Sequence, residues 1–202
     1  MSNFKLNREP IWNEIKAQIA ICQKCRLCET RNKTVPGTGN LNSKVVLIGE
    51  GPGAEEDMSG YPFVGDAGKL LTKILASVEI DREKIFITNV VKCRTDKDNR
   101  DPYTEEQIAC SEFLEAQLLL IRPAIIITAG NIATKWLCKT ETGITALHGQ
   151  FLDWRGIKLF PIFHPSYLLR NNSNVKSKDN PRYLMWEDVK ALRKYLDKEN
   201  LL

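Results

Sequence analysis

Cysteine spacing carries the first chemical signal in this 202-residue chain. Cys22 and Cys25 form a C-x-x-C pair, and Cys93 and Cys110 follow as singles. Four thiolates suit either Zn²⁺ or a [4Fe-4S] cluster, and spacing alone does not choose between them. Around Cys93 stand Lys92, Arg94, Lys97 and Arg100, cations able to offset a negatively charged cluster or to meet a phosphate backbone. Cys28 is a competing ligand, whereas Cys138 ends an apolar helical pattern and reads as core.

A second set of residues suits the binding of a flat polar ligand. Gly49-Glu50-Gly51-Pro52-Gly53 lets backbone amides approach a ligand closely, but Ala54 spoils a dinucleotide fingerprint and no G-K-[ST] follows for a P-loop. Phe63 sits on a Pro-containing loop bracketed by Gly60 and Gly65, which suits stacking on a planar ring. Asn89 offers a donor and an acceptor, the pair needed to read a pyrimidine edge. His164 is one of only two histidines and is followed by Pro165; the other, His148, reads as a surface or loop residue.

These residues need a scaffold that gathers them. Four apolar, β-branched runs, Val45 to Ile48, Ile85 to Thr88, Ala124 to Thr128 and Ile157 to Phe163, read as strands buried on both faces. Helical patterns follow at Lys69 to Val78, Thr104 to Ile121, Asn131 to Cys138 and Pro181 to Leu196, with a leading helix over Pro10 to Ile21. This order predicts an α/β fold, a three-layer α/β/α sandwich around a four-stranded parallel sheet. Ligands bind such sheets beyond the carboxyl ends of the strands, where the glycine-rich turn, Asn89, Gly130-Asn131 and His164 all fall. The C-terminal helix that ends in Lys198 to Leu202 reads as a plain surface helix.

Composition bounds the rest. Hydrophobic residues at 43% and charged residues at 27% are ordinary globular values, and the length suits one domain over 1–202. A net charge of +4 is compatible with a polyanionic partner without requiring one. Met1 to Arg8 lacks the apolar core of a secretory signal, and no run of about 18 apolar residues exists to span a bilayer. The expectation is a cytoplasmic protein with no membrane partner, whose six cysteines serve metal ligation before disulfides.

Taken together, the motifs resemble the family 4 uracil-DNA glycosylases, the thermostable-type iron-sulfur enzymes. The resemblance rests on Cys22-x-x-Cys25-Arg26-Leu27, the Gly49 to Gly53 turn with Glu56-Asp57, Pro62-Phe63-Val64-Gly65, Asn89 to Arg94, and His164-Pro165-Ser166-Tyr167-Leu168-Leu169-Arg170, in family order. It implies a [4Fe-4S] cluster on Cys22, Cys25, Cys93 and Cys110, built by the N-terminal segment and the 93–110 region. It also implies a uracil pocket of Glu50, Gly51, Phe63, Asn89 and His164, with His164, Glu50 and Asn89 catalytic, and DNA contacts at Leu168, Leu169, Arg170 and Arg94.

The implied activity is that of a monofunctional, monomeric enzyme that excises uracil from single- and double-stranded DNA to start base excision repair. Gly51 stands where family 1 enzymes carry a catalytic aspartate. The chain departs from the family's Arg-Pro-Pro by placing Thr95-Asp96-Lys97-Asp98 after Arg94. A zinc-stabilised DNA-damage sensor and an electron-transfer protein use the same cysteines, but neither needs Phe63, Asn89 and His164 together.

Overall fold

A computed structural model describes residues 7–171, 177 and 179–202. Its centre is the expected parallel sheet: β2 (Val45–Gly49), β3 (Phe86–Asn89), β4 (Ile125–Ala129) and β6 (Ile157–Ile162). Every residue of β2, β3 and β4 is buried, as continuous apolar runs in a doubly covered sheet must be. The four-strand expectation is corrected at the edges. Short antiparallel strands β1 (Thr38–Gly39) and β5 (Leu152–Trp154) extend the sheet to six in the order β1-β3-β2-β4-β6-β5.

Alternate strand side chains feed two cores. Val46, Ile48, Phe86, Ile126 and Leu159 face α1 (Glu9–Ala20), α4 (Thr104–Ile121) and α5 (Asn131–Cys138). Val45, Leu47, Ile87, Ile127 and Phe160 face α3 (Asp66–Ala76) and α8 (Pro181–Lys198). The result is the expected three-layer sandwich. Met185, Val189, Leu192 and Leu196 of α8 are buried, and even Leu201 packs against this core, so the C-terminal end is more than plain surface. Cys138 packs against the other core.

Three short helices, α2 (Ala54–Ser59), α6 (Ile144–Leu147) and α7 (Pro165–Arg170), lie in connections that periodicity does not resolve. Strand order reverses at β2, with β3 on one side and β4 on the other, which opens a crevice at the carboxyl ends of the strands. Among the described residues no helix is long and apolar enough to cross a membrane.

Candidate functional site

One cavity of about 430 Å³ occupies that crevice. Glu50, Gly51 and Gly53 reach it from the turn after β2, Asn89 from the end of β3, Gly130 and Asn131 from the end of β4, and His164 from the end of β6. Phe63 and Arg170 complete its walls. The structure thus brings Glu50, Gly51, Phe63, Asn89, His164 and Arg170 together, though they span 120 positions (170 minus 50) of chain.

Asn89 is 2% exposed, and its side-chain Oδ1 has no hydrogen-bond partner. A buried amide oxygen left unpaired costs about 1–3 kcal/mol, so its persistence points to a donor supplied by a ligand. Gly49 leaves room for this arrangement: a Cβ there would fall 2.4 Å from Asn89 Oδ1 and 2.6 Å from the Phe63 ring. The amide and the ring therefore flank one bare stretch of backbone. Phe63 has a left-handed φ of 52°, which costs a non-glycine residue about 1–2 kcal/mol. Its ring centroid stands 5.8 Å from that of His164.

His164 is neutral at physiological pH. Burial holds its pKa down to about 4, with the Arg170 cation acting in the same direction. Its Nδ1 accepts from the Ser166 backbone N–H at 3.3 Å, and a backbone N–H can only donate. The ring hydrogen is consequently on Nε2, a fixed neutral donor for the cavity. Glu50 is shifted oppositely: burial, reinforced by Asp101 and opposed by Arg170, raises its pKa to about 7. A carboxylate poised there can exchange a proton at working pH.

The proposed DNA residues divide. Leu169 is 40% exposed beside the cavity mouth, but Leu168 is 2% exposed and packed in the α3/α8 core, so Leu168 is not presented to DNA. Adjacent helical residues project in directions about 100° apart, and here the core takes the first of the two leucines. Arg94 does not line the cavity. Its Nε donates to Asn99 Oδ1 and its Nη2 to Lys97 O, both at 2.8 Å, so the guanidinium closes its own loop.

That loop also explains the missing prolines. Arg100 grips Glu106 with two bonds of 2.8 and 2.7 Å and meets Asp96 at 3.2 Å. Through this fork Thr95, Asn99, Arg100 and Asp101 are brought to the cavity. Arg100 was read in the sequence as a cation near Cys93, but its place at this cavity, and that of Asp101, was not, because the Glu106 that anchors Arg100 lies in the next helix. His148 lies in the turn after α6, as expected of a loop residue, but is half-buried there, 2.8 Å from Asp188 Oδ2, a pairing across 40 positions, with its ring tilted against that of Phe163 at 4.4 Å between centroids.

The four expected ligand cysteines gather in a second, small cavity. Cys22 and Cys25 follow α1, Cys93 follows β3, and Cys110 lies in α4; all four line it, while Cys28 does not. Arg31 Nη1 donates to Cys93 Sγ at 3.3 Å and Nη2 to Cys22 O at 2.7 Å. The Lys92 backbone N–H donates to Cys110 Sγ at 3.3 Å. Burial pushes the Cys93 thiol up to about 12, against the opposing Arg31 guanidinium. Among the described residues no three His, Cys, Asp or Glu side chains converge on the position of a single metal ion.

Lys92 joins the two cavities. Its buried Nζ, 1% exposed with the rest of the residue, donates to Asn89 O at 2.5 Å, Thr88 Oγ1 at 2.8 Å and Gln117 Oε1 at 2.9 Å. A single lysine in a charged stretch gives no sign in the sequence of such burial.

Comparison with known proteins agrees with this geometry. The family model of the uracil DNA glycosylase superfamily matches residues 36–190. The chain is 42% identical over 194 residues to a type-4 uracil-DNA glycosylase of Thermotoga maritima, covering 95% of this chain and 98% of that protein. It is 39% identical to one of Sulfurisphaera tokodaii, covering 89% and 82%. For one of Pyrobaculum aerophilum the identity is 47%, covering 74% and 80%.

Proposed function

Because the chain belongs to the uracil-DNA glycosylase superfamily, and within it to the type-4 enzymes, we propose that its strand-end cavity removes uracil from DNA. The enzyme hydrolyses the N-glycosidic bond of deoxyuridine and so starts base excision repair. The observation that carries the reading is Asn89 Oδ1, buried and unpartnered beside the Phe63 ring.

A base stacked in a duplex is out of reach, so the deoxyuridine must rotate into the cavity at a cost of a few kcal/mol. Leu169, exposed on α7, is the side chain available to fill the vacated stack, and Arg170 at the rim suits a phosphate. Inside, Phe63 offers its face to the ring. Asn89 Oδ1 accepts from uracil N3–H, and its Nδ2 donates to O4. Cytosine presents the opposite polarity at both atoms and is refused.

Cleavage leaves negative charge on the uracil and positive charge on the sugar. Neutral His164 donates from Nε2 to O2, where that charge grows, without first losing a proton. Glu50 in its carboxylate form stabilises the cationic sugar or orients the attacking water. Among the described residues none that lines the cavity is a lysine, in keeping with hydrolysis by water over a Schiff-base route. The products are free uracil and an abasic site.

The second cavity is read as the place of a [4Fe-4S] cluster held by Cys22, Cys25, Cys93 and Cys110, a reading supported by the gathering of these four cysteines and by the N–H groups that donate to Cys93 Sγ and Cys110 Sγ. Through these four cysteines a cluster would tie the N-terminal segment to the 93–110 region, a structural role and not a catalytic one. Iron and acid-labile sulfide analysis of the purified protein tests it.

We read the chain as one cytoplasmic, monomeric domain acting on both single- and double-stranded DNA. The direct test incubates it with a uracil-containing single-stranded oligonucleotide, followed by alkali. Strand breakage at the uracil is expected; an intact strand that is nonetheless bound makes the protein a damage sensor.

A further inference from the structure

We propose that Glu56 and Arg82 are positioning residues that clamp the Phe63 turn from opposite sides, fixing the stacking wall of the pocket before a base arrives. The inference rests on reading that cavity as the uracil pocket.

The backbone polar groups of residues 62–65 are shared between these two side chains. Arg82 Nη2 donates to Pro62 O and Nη1 to Phe63 O, each at 2.6 Å. Glu56 Oε1 accepts from the Val64 and Gly65 N–H groups, each at 2.9 Å. Two carbonyls and two amides in sequence are thus held by one fork and one carboxylate oxygen. Glu56 Oε2 then accepts from Gly53 N–H at 3.1 Å, in the turn that bears Glu50 and Gly51. A single side chain therefore sets the spacing between two walls of the cavity.

Such a clamp is what a left-handed Phe63 requires, because an unrestrained phenylalanine returns to negative φ and carries its ring away. Support from below points the same way. A Cβ on Gly68 of α3 would fall 1.9 Å from Phe63 O, so the helix is pressed directly against the turn. Arg82 is itself steadied by Thr72 Oγ1 of α3 at 3.0 Å. A stacking wall already in place spares the substrate the cost of ordering it.

The chemistry of the clamp suggests two substitutions. In Glu56→Gln the new amide N–H₂ must face either the Gly53 N–H or the Val64 and Gly65 pair, donor against donor. Arg82→Lys keeps the charge but loses the planar fork. Each variant is placed in the wild-type background and in Phe63→Leu, and uracil excision is measured under single turnover as a function of enzyme concentration.

In the wild-type background each should weaken half-saturation about tenfold, the size of one lost charge-assisted hydrogen bond, with a smaller effect on the limiting rate. In Phe63→Leu the added loss should shrink to about twofold or less, because residues that act through one another are not additive. Hydrogen exchange supplies a readout that needs no substrate: either the Gly53 amide or the Val64 and Gly65 pair, whichever the new N–H₂ faces, should exchange faster in Glu56→Gln while Ile125–Ala129 keep their protection.

Equal losses in both backgrounds, or unchanged exchange at Gly53, Val64 and Gly65 alike in Glu56→Gln, would overturn the clamp. If Glu56→Gln fails to fold, Arg82→Lys carries the same cycle, and equal losses in both backgrounds overturn the clamp there too. A wild-type protein that excises no uracil overturns the functional reading instead, and exchange still decides the clamp.

Discussion

Ser166 Oγ lies 2.7 Å from His164 Nδ1, and Arg170 Nη1 donates to that same oxygen at 3.3 Å. A hydroxyl that accepts from Arg170 has its own hydrogen free for Nδ1, which reinforces the bond from the Ser166 backbone N–H. The ring is therefore locked with its hydrogen on Nε2. Ser166→Ala should leave folding and DNA binding intact but slow single-turnover excision about tenfold, the worth of one neutral hydrogen bond to the catalytic ring. Nitrogen NMR of His164 checks the cause: the Nδ1 resonance should shift with the loss of the hydroxyl donor, while the Ser166 backbone N–H keeps the ring hydrogen on Nε2.

Asn89 governs which base is accepted. Asn89→Asp exchanges the Nδ2 donor for a second acceptor, so the uracil O4 contact becomes repulsive and a cytosine amino group gains a partner. Uracil excision should fall by about 10²-fold or more, while cytosine release rises from an undetectable base. Competition between oligonucleotides containing each base measures the ratio.

Glu50 sets the pH dependence. Its pKa of about 7 reflects burial first and the nearby Asp101 second. If the carboxylate is the working form, the rate at low substrate rises with pH through about 7 and levels above it. His164, at about 4, is already neutral throughout that window and adds no limb of its own. Glu50→Gln should lower the plateau and abolish the step at about 7. A step that persists in Glu50→Gln assigns it to another group.

The adjacent leucines of α7 should separate stability from DNA engagement. Leu168→Ala removes a core side chain and should destabilise by about 2–5 kcal/mol, read as a lowered unfolding midpoint. Leu169→Ala should leave that midpoint within the usual range of surface substitutions, about ±0.5 kcal/mol. Its effect should be slower excision from duplex, with single-stranded substrate little changed.

The sequence discloses what continuous patterns encode. The runs at Val45, Phe86, Ile125 and Ile157 were legible because a doubly covered strand must be apolar at nearly every position. The bounds of α4 and α5 were legible from their periodicity. β1 and β5 were not, since two or three residues carry no period.

The cavity residues were legible as types at strand ends, a rule of topology. Their states were not: the neutrality of His164 comes from burial, and its tautomer from a helix-capping bond. The bonds of Arg94 and His148 and the burial of Leu168 were not legible, because each depends on a partner or a core surface that adjacency in sequence does not reveal.

Single-turnover release of free uracil from a uracil-containing oligonucleotide, measured for the wild-type protein beside His164→Ala, tests the central claim most directly. The wild-type protein should release uracil and leave an abasic site. His164→Ala should bind the same DNA and release uracil about 10²–10³-fold more slowly, the usual cost of deleting a preorganised donor. Release at the wild-type rate by His164→Ala, or no free uracil from the wild-type protein, would contradict the account.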